Sequence, residues 1–128
     1  MHTARTIEAW RRGNWDLLAG SYFAWDPGKN VGAPPPLPSY SERWISVDWG
    51  YTHASAVLWF VSTGDRTYVV RERLYTNTDP LTLGMAIAEV NGDDEASAVY
   101  LSPDAFAHRS GEFTVASEMA EGFRRANI

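Results

Sequence analysis

The sequence has 128 residues, enough for one compact domain, and its 45% hydrophobic and 21% charged content is typical of a folded protein. It contains no cysteine, which excludes a disulfide framework and any cysteine-based zinc site. The net charge of −5 counts against a simple basic surface for nucleic acids, but bound metal ions reverse the local charge of carboxylates. No apolar run approaches a membrane span and no signal peptide begins the chain, so we expect a cytosolic protein without a membrane partner.

A proline-rich strip at residues 33–38 divides the chain. Consecutive prolines cannot continue a helix or a central strand, so the strip predicts an extended connector. Before it, residues 1–32 carry five aromatic side chains among glycines and charges, too few residues to fold alone. We therefore predict an aromatic arm and linker over residues 1–42, followed by a folded part over residues 43–128.

The sequence of residues 43–128 predicts an α/β domain with the element order β-β-β-α-β-α. Period-2 or continuous apolar patterns indicate strands, and the helices are indicated by length, helix-forming residues and a Thr114 N-cap. Gly84 weakens the first helix by about 1 kcal/mol relative to alanine. The short spacing of the first three strands predicts an antiparallel meander, and the second is apolar enough to be covered on both faces. The predicted strands span 43–50, 54–62, 67–75 and 98–102, and the helices span 81–90 and 114–125.

Asp48 is the most informative polar residue of the predicted sheet. It follows Ile45, Ser46 and Val47 near the end of the first strand. Aspartate is depleted in strands because an unpartnered buried carboxylate costs several kcal/mol, so a carboxylate there favours a compensating metal cation. The alternative is an aspartate at the strand end that is either solvated or caps a turn with Thr52.

Asp104 occupies a similar position after the fourth predicted strand. If that strand lies parallel to the first, both carboxylates emerge at the same edge of the sheet, where open α/β sheets bind ligands. Two such aspartates form a site for hard cations, Mg²⁺ or Mn²⁺. The alternative is that Asp104 caps a short helical turn through residues 105–107.

The sequence resembles a protein family, the large terminase subunits of tailed phages and prophages. The likeness covers nearly the whole chain in order. Its segments are a tryptophan-bearing stretch at residues 10–16, GSYF at 20–23, SVDWGY at 46–51, ASAVLW at 54–59, YVVRE at 68–72 and SPDAF at 102–106.

The resemblance implies a ribonuclease H-like mixed sheet and a metal-dependent endonuclease that cleaves concatemeric double-stranded DNA. It implies Asp48 and Asp104 as two of three catalytic acids, with Mg²⁺ or Mn²⁺ as cofactor. The packaging machinery of this family works in the cytoplasm of the bacterial host. The resemblance therefore implies double-stranded DNA, the small terminase subunit and the portal protein as partners.

The sequence also departs from the family. The ATPase domain is absent, since no phosphate-binding loop motif occurs. The family's third acid lies well past Asp104, where only Glu112, Glu118 and Glu121 occur, none in a matching context. We therefore expect a fragment whose nuclease domain is incomplete at the C-terminus, from a truncated gene or a trimmed protein, and inactive or weakly active alone.

Several other residues are secondary candidates. Glu72 is either an auxiliary metal ligand or the partner of Arg71 and Arg73 in a surface ion pair. The side chains of His53, His108 and Arg109 are candidates for contacts to the DNA backbone, with ordinary solvated loop residues as the alternative. Three tryptophans, Trp44, Trp49 and Trp59, alternate with small residues, which favours a place in the core.

Two other functions are compatible with the sequence. Residues 48–52 match a D-x-G-x-T pattern, which resembles the first phosphate loop of the actin, Hsp70 and sugar-kinase ATPases, although the second phosphate loop and the adenosine-binding segment are missing. The other function is a non-catalytic docking or assembly module with a nuclease-like fold, whose aromatic arm at residues 10–25 binds a partner. An exposed apolar patch along the arm would indicate the docking role.

Overall fold

A computed structural model of the chain describes residues 24–108, 111 and 113–126. The chain divides into two compact units, residues 1–33 and 34–128. The described part of the first unit contains one helical turn, α1 (Pro27–Asn30), whose N-cap Asp26 accepts a hydrogen bond from the Gly28 amide. Throughout the described ranges, no helix has the length and apolar character that crossing a membrane requires.

The second unit contains a four-stranded mixed sheet and two helices. The sheet order is β3-β2-β1-β4, in which β1, β2 and β3 form an antiparallel meander while β4 lies parallel to β1. This arrangement confirms the predicted α/β class and the order β-β-β-α-β-α. The elements are β1 (Glu42–Asp48), β2 (Ser55–Ser62), β3 (Thr67–Tyr75), α2 (Pro80–Asn91), β4 (Ala98–Leu101), a 3₁₀ turn (Pro103–Phe106) and α3 (Val115–Arg125).

In each helix of the second unit, the side chain of the N-cap residue accepts a hydrogen bond from a backbone amide of the first turn. The Asp79 carboxylate accepts hydrogen bonds from the amide and the hydroxyl of Thr82, and Pro80 occupies the first turn of α2. In α3, the Thr114 hydroxyl accepts from the Ser117 amide while the Ser117 hydroxyl accepts from the Thr114 amide, which is a capping box. The prediction of Thr114 as N-cap is confirmed.

The core lies between one face of the sheet and the two helices. Alternate residues of β1 and β2 point to this face, as the period of a strand requires. Each of the core residues is at most 5% exposed. They are Ile45, Val47, Val57, Trp59, Leu83, Ile87 and Met119.

The helices α2 and α3 contact each other through two glycines. A Cβ atom on Gly84 would collide with the backbone carbonyl oxygen of Met119, and one on Gly122 would collide with that of Leu81. The cost of Gly84 to helix formation is therefore offset by a close helix–helix approach that a side chain would prevent.

The other face of the sheet is only partly covered. The second strand was expected to be covered on both faces, but its exposure alternates between buried and intermediate, so that prediction is wrong for the described residues. On this open face the rings of Trp44 and Phe60 are stacked with centroids 5.4 Å apart. The side chains of Val69, Leu74 and Tyr100 are exposed.

The three candidate core tryptophans differ in their surroundings. Trp59 is buried, and its indole nitrogen donates a hydrogen bond of 3.2 Å to the Asn91 side chain. Trp49 is partly buried and packs against the core cluster. Only Trp44 lies on the open face, so the core prediction holds for two of the three.

Candidate active site at the carboxyl edge of β1 and β4

Asp48 is the last residue of β1 and pairs with Ala56 of β2. The preceding Val47 is buried, which holds the end of the strand against the core. Asp48 itself is exposed, and no hydrogen bond or ion pair of its carboxylate occurs among the described residues. The strand therefore presents an exposed carboxylate at its carboxyl end.

Asp104 follows the neighbouring parallel strand. Val47 is in register with Leu101, the last residue of β4, and the chain then enters the 3₁₀ turn that contains Asp104. The buried Ala105 fixes this turn, and the amide of Ala105 donates to the Ser102 carbonyl. Asp104 is exposed, and the N-cap position belongs to Ser102, so the alternative of a capping aspartate is wrong.

The two carboxylates thus follow the carboxyl ends of adjacent parallel strands, the condition under which they were expected to share one edge. Within the described ranges, no group of three or more acidic, histidine or cysteine side chains is placed to hold a metal ion. Two exposed carboxylates still fit a hard cation, because Mg²⁺ keeps several water ligands and binds through one or two carboxylates.

Glu72 is separated from this pair by a strand. It lies on the open face of β3 opposite Leu58, and β2 stands between β3 and β1. Two strand spacings amount to roughly 10 Å, so the structure does not bring Glu72 to Asp48 as an auxiliary ligand. The expected ion pair is also not formed, since Arg71 donates to the Val90 carbonyl and Arg73 donates to the Glu72 backbone carbonyl.

The remaining acidic candidates follow the 3₁₀ turn. Glu118 is exposed on α3. Glu121 binds the guanidinium groups of Arg124 and Arg125 at 2.6 Å and 3.0 Å. The hydrogen bonds from these arginines lower the pKa of Glu121 to about 2. Glu121 is thus engaged within its own helix, and Glu112 lies outside the described residues.

The candidates for DNA contact lie on the two segments that follow the carboxylates. His53 belongs to the loop between β1 and β2, and His108 comes directly after the 3₁₀ turn. Both side chains are exposed and therefore accessible to a ligand. Arg109, the third candidate, lies outside the described residues.

Sequence reasoning missed the residues that hold the loop after Asp48. The buried Ser55 hydroxyl donates to the Gly50 carbonyl at 2.7 Å and accepts from the Gly50 amide at 3.0 Å. The Asn77 amide donates to the Tyr51 carbonyl at 2.9 Å. A lone serine at the start of an apolar strand was the available signal, because a buried hydroxyl needs a partner.

This anchoring also bears on the phosphate-loop alternative. A phosphate loop offers its backbone amides to the ligand. Here the amide of Gly50, the glycine of the D-x-G-x-T pattern, already donates to the Ser55 hydroxyl. The geometry of the loop argues against ATP binding at residues 48–52.

Two clefts formed by the described residues of the second unit lie away from the carboxylates. Both are lined by residues from the opposite end of the sheet, among them Arg43, Asp94 and Ala96, and neither includes Asp48 or Asp104. Small-molecule sites are usually concave. These two concave surfaces are therefore separate from the carboxylate edge.

Comparison with known proteins identifies one fold. No protein-family model matches the sequence, and a comparison with curated proteins finds no significant match. The nuclease domain of the P22 large terminase is similar in structure, with a TM-score of 0.62, 16% sequence identity and coverage of 78% of this chain. The match spans 52% of that domain, about half its length. The structural similarity confirms the predicted ribonuclease H-like fold.

Proposed function

We propose that this chain contributes the first part of a metal-dependent endonuclease domain that cleaves double-stranded DNA during phage DNA packaging. Asp48 and Asp104 are its metal ligands. The fold that it shares with the P22 terminase nuclease domain supports the class of activity. The proposal depends most on one observation, the parallel pairing of β1 and β4, which places two exposed carboxylates after neighbouring strand ends.

The chemistry follows from these two side chains. Asp48 and Asp104 would hold divalent ions, which would supply activation of a water and stabilisation of the leaving oxygen of a phosphodiester. In this scheme Asp48 and Asp104 act as metal ligands and transfer no proton. Such a site acts on the phosphate backbone and does not distinguish base edges, so sequence preference is expected to be weak. In this scheme His53, His108 and Arg109 approach the phosphates beside the scissile bond.

The proposed function requires a further domain, partner molecules and a third carboxylate. An ATPase domain would precede residues 1–42, the arm and linker. Partners would be double-stranded DNA, the small terminase subunit and the portal protein. We expect a third carboxylate, which the family resemblance implies, to be required for full activity. Metal binding is therefore a more direct first test than cleavage.

We expect Mn²⁺ to bind at the carboxylate edge of the wild-type chain and to be lost in Asp48→Asn and in Asp104→Asn. An anomalous difference map from a crystal soaked in Mn²⁺ locates the ion, and electron paramagnetic resonance titration gives its affinity. The matched control is Glu72→Gln, which removes a carboxylate from the same face of the sheet but two strands away. The control is expected to bind Mn²⁺ like the wild type.

Two results would contradict the proposal. One is Mn²⁺ binding that Asp48→Asn and Asp104→Asn leave unchanged. The other is an anomalous map in which the two carboxylates share no ion. If Mn²⁺ binds as expected, nicking of supercoiled plasmid DNA by the wild type and by Asp48→Asn tests whether the bound ion supports cleavage.

A docking role without catalysis is the second candidate. It is favoured by the exposed apolar side chains Val69, Leu74 and Tyr100 on the open face of the sheet. Trp25, in the described part of the arm, is also exposed. This role predicts that substitutions of Asp48 and Asp104 have no effect on function.

A further inference from the structure

Ser55 is a polar side chain that the fold buries completely. It begins β2 on the core side of the sheet, and its exposed fraction is 0%. Its hydroxyl bonds both polar groups of the Gly50 backbone, the carbonyl and the amide. A buried hydroxyl costs free energy unless it is hydrogen-bonded, and here both bonds go to a single residue two positions after Asp48.

The loop that Ser55 holds is tightly folded. A Cβ atom on Gly50 would lie 2.5 Å from the His53 carbonyl oxygen, so the loop backbone approaches Gly50 too closely for any side chain. The loop has a second attachment, because the Tyr51 carbonyl accepts from the Asn77 amide. Asn77 has a positive φ of 49°, a conformation that asparagine tolerates better than most residues.

We propose that Ser55 is a positioning residue for the Asp48 metal site. The inference rests on the proposed function. Asp48 ends β1 with its carboxylate exposed, so few contacts of its own restrict it. The two bonds from Ser55 fix the Gly50 backbone two positions after Asp48, and so limit the backbone conformations available to the end of β1 that carries Asp48. They also fix the loop that carries His53.

The expected consequence is a loss of metal affinity when the hydroxyl is removed. In Ser55→Ala the carbonyl and the amide of Gly50 lose their partner, and the loop gains alternative conformations. Removal of groups that orient metal ligands typically weakens metal binding by 10–100-fold. We expect Ser55→Ala to raise the Mn²⁺ dissociation constant by about tenfold, the lower end of that range, since the bonds restrain the Gly50 backbone and not the Asp48 carboxylate itself.

The control must separate positioning from general stability. Val61→Ala removes volume from a residue of the same strand that is also buried, at 1% exposure, but at the opposite end of β2. This variant is expected to lower the melting temperature while leaving the Mn²⁺ affinity unchanged. Amide hydrogen exchange supplies a second readout, because Gly50 and Asn77 are expected to exchange faster in Ser55→Ala and at the wild-type rate in Val61→Ala.

A second pair of variants loosens the loop from its other attachment. Asn77→Val places a β-branched residue at a positive φ, which disfavours the observed backbone, whereas Asn77→Gly accepts it. We expect Asn77→Val to weaken Mn²⁺ binding and Asn77→Gly to retain it. If Ser55→Ala fails to fold, this pair still tests the step on which the inference depends, that the conformation of the loop after Asp48 controls Mn²⁺ affinity, because Asn77 is exposed.

The outcomes distinguish this inference from the proposed function. Mn²⁺ affinity that falls in Ser55→Ala and in Asn77→Val, but not in Val61→Ala or Asn77→Gly, supports the positioning role. Wild-type affinity in folded Ser55→Ala overturns it while leaving the metal site intact. So does wild-type affinity in Asn77→Val where Ser55→Ala does not fold. A wild-type chain that binds no Mn²⁺, or binds it equally in Asp48→Asn, overturns both proposals.

Discussion

The helix-covered side of the sheet and its carboxylate edge hold their residues in different ways. On the covered side, Ile45, Leu83 and Met119 are almost fully buried. At the edge, Asp48 and Asp104 are exposed, and the contacts that place them are made by backbone and by neighbouring residues. The buried residues of the covered side therefore contribute most of the free energy of unfolding. The residues of the carboxylate edge contribute little to it and are accessible to a ligand. Substitutions on the two sides should differ accordingly in their effect on the free energy of unfolding.

The largest loss of stability is expected from Gly84→Ala, at the contact of α2 with α3. The added methyl group collides with the Met119 carbonyl oxygen, which belongs to a helix backbone and cannot move aside. Overpacking of this kind costs about 3 kcal/mol. For a domain of this size that corresponds to a melting temperature lower by on the order of 10–20 °C, measurable by thermal denaturation.

Gly32→Ala is the matched control for this variant. A Cβ atom on Gly32 meets no heavy atom within 4 Å, so the change is expected to alter stability by less than about 0.5 kcal/mol. If Gly84→Ala melts at the temperature of Gly32→Ala, the close approach of the two helices is not what holds the covered side together.

Gly84 also illustrates which features could be predicted from the sequence. Local signals predicted the order of elements and the Thr114 N-cap, because periodicity and capping depend on residues near in sequence. The same local reasoning treated Gly84 only as a weak helix former, since the partner helix that requires it lies far along the chain. The half-open face of β2 was missed for a similar reason: an apolar strand does not indicate what covers it.

The residues of the candidate site also fall into those that the sequence predicted and those that it did not. Asp48 and Asp104 were predicted from their places after apolar strands, and the parallel pairing that brings these strands together was stated as a condition. Asn77 was not predicted because its bond to Tyr51 joins segments far apart in the sequence, whereas Ser55, only five positions from Gly50, was overlooked although a serine at the start of an apolar strand was the available signal. Glu72 shows the opposite error, since its sequence context did not show that β2 would separate it from Asp48.

An intermediate effect is expected at the start of α2, where Asp79→Ala removes the N-cap. The loss should be about 1 kcal/mol at neutral pH. Hydrogen bonds from the hydroxyl and the amide of Thr82 lower the pKa of Asp79. A carboxyl whose pKa is lower in the folded state stabilises the protein above its unfolded pKa of about 4 and loses that contribution as the pH falls through the folded value.

Thermal denaturation from pH 7 down to pH 2 checks this prediction. The difference in melting temperature between the wild type and Asp79→Ala should shrink below about pH 4. Asp79→Asn caps the helix without titrating, so its difference from Asp79→Ala should stay nearly constant over the same range. A wild-type advantage that persists unchanged at pH 2 would show that ionisation of Asp79 does not contribute to the cap.

The smallest effect on stability is expected at the edge, from Asp48→Asn without metal. An exposed carboxylate with no hydrogen-bond or ion-pair partner among the described residues contributes little to folding, so the change should lie within about 0.5 kcal/mol. With Mn²⁺ at a hundred times its dissociation constant, the wild type should gain about 2.7 kcal/mol, and Asp48→Asn should gain much less. Thermal denaturation with and without Mn²⁺ measures both quantities. Strong destabilisation of Asp48→Asn without metal would show that the Asp48 carboxylate contributes to folding. The contrast between a covered face that stabilises the fold and a carboxylate edge that binds a ligand would then be wrong for Asp48.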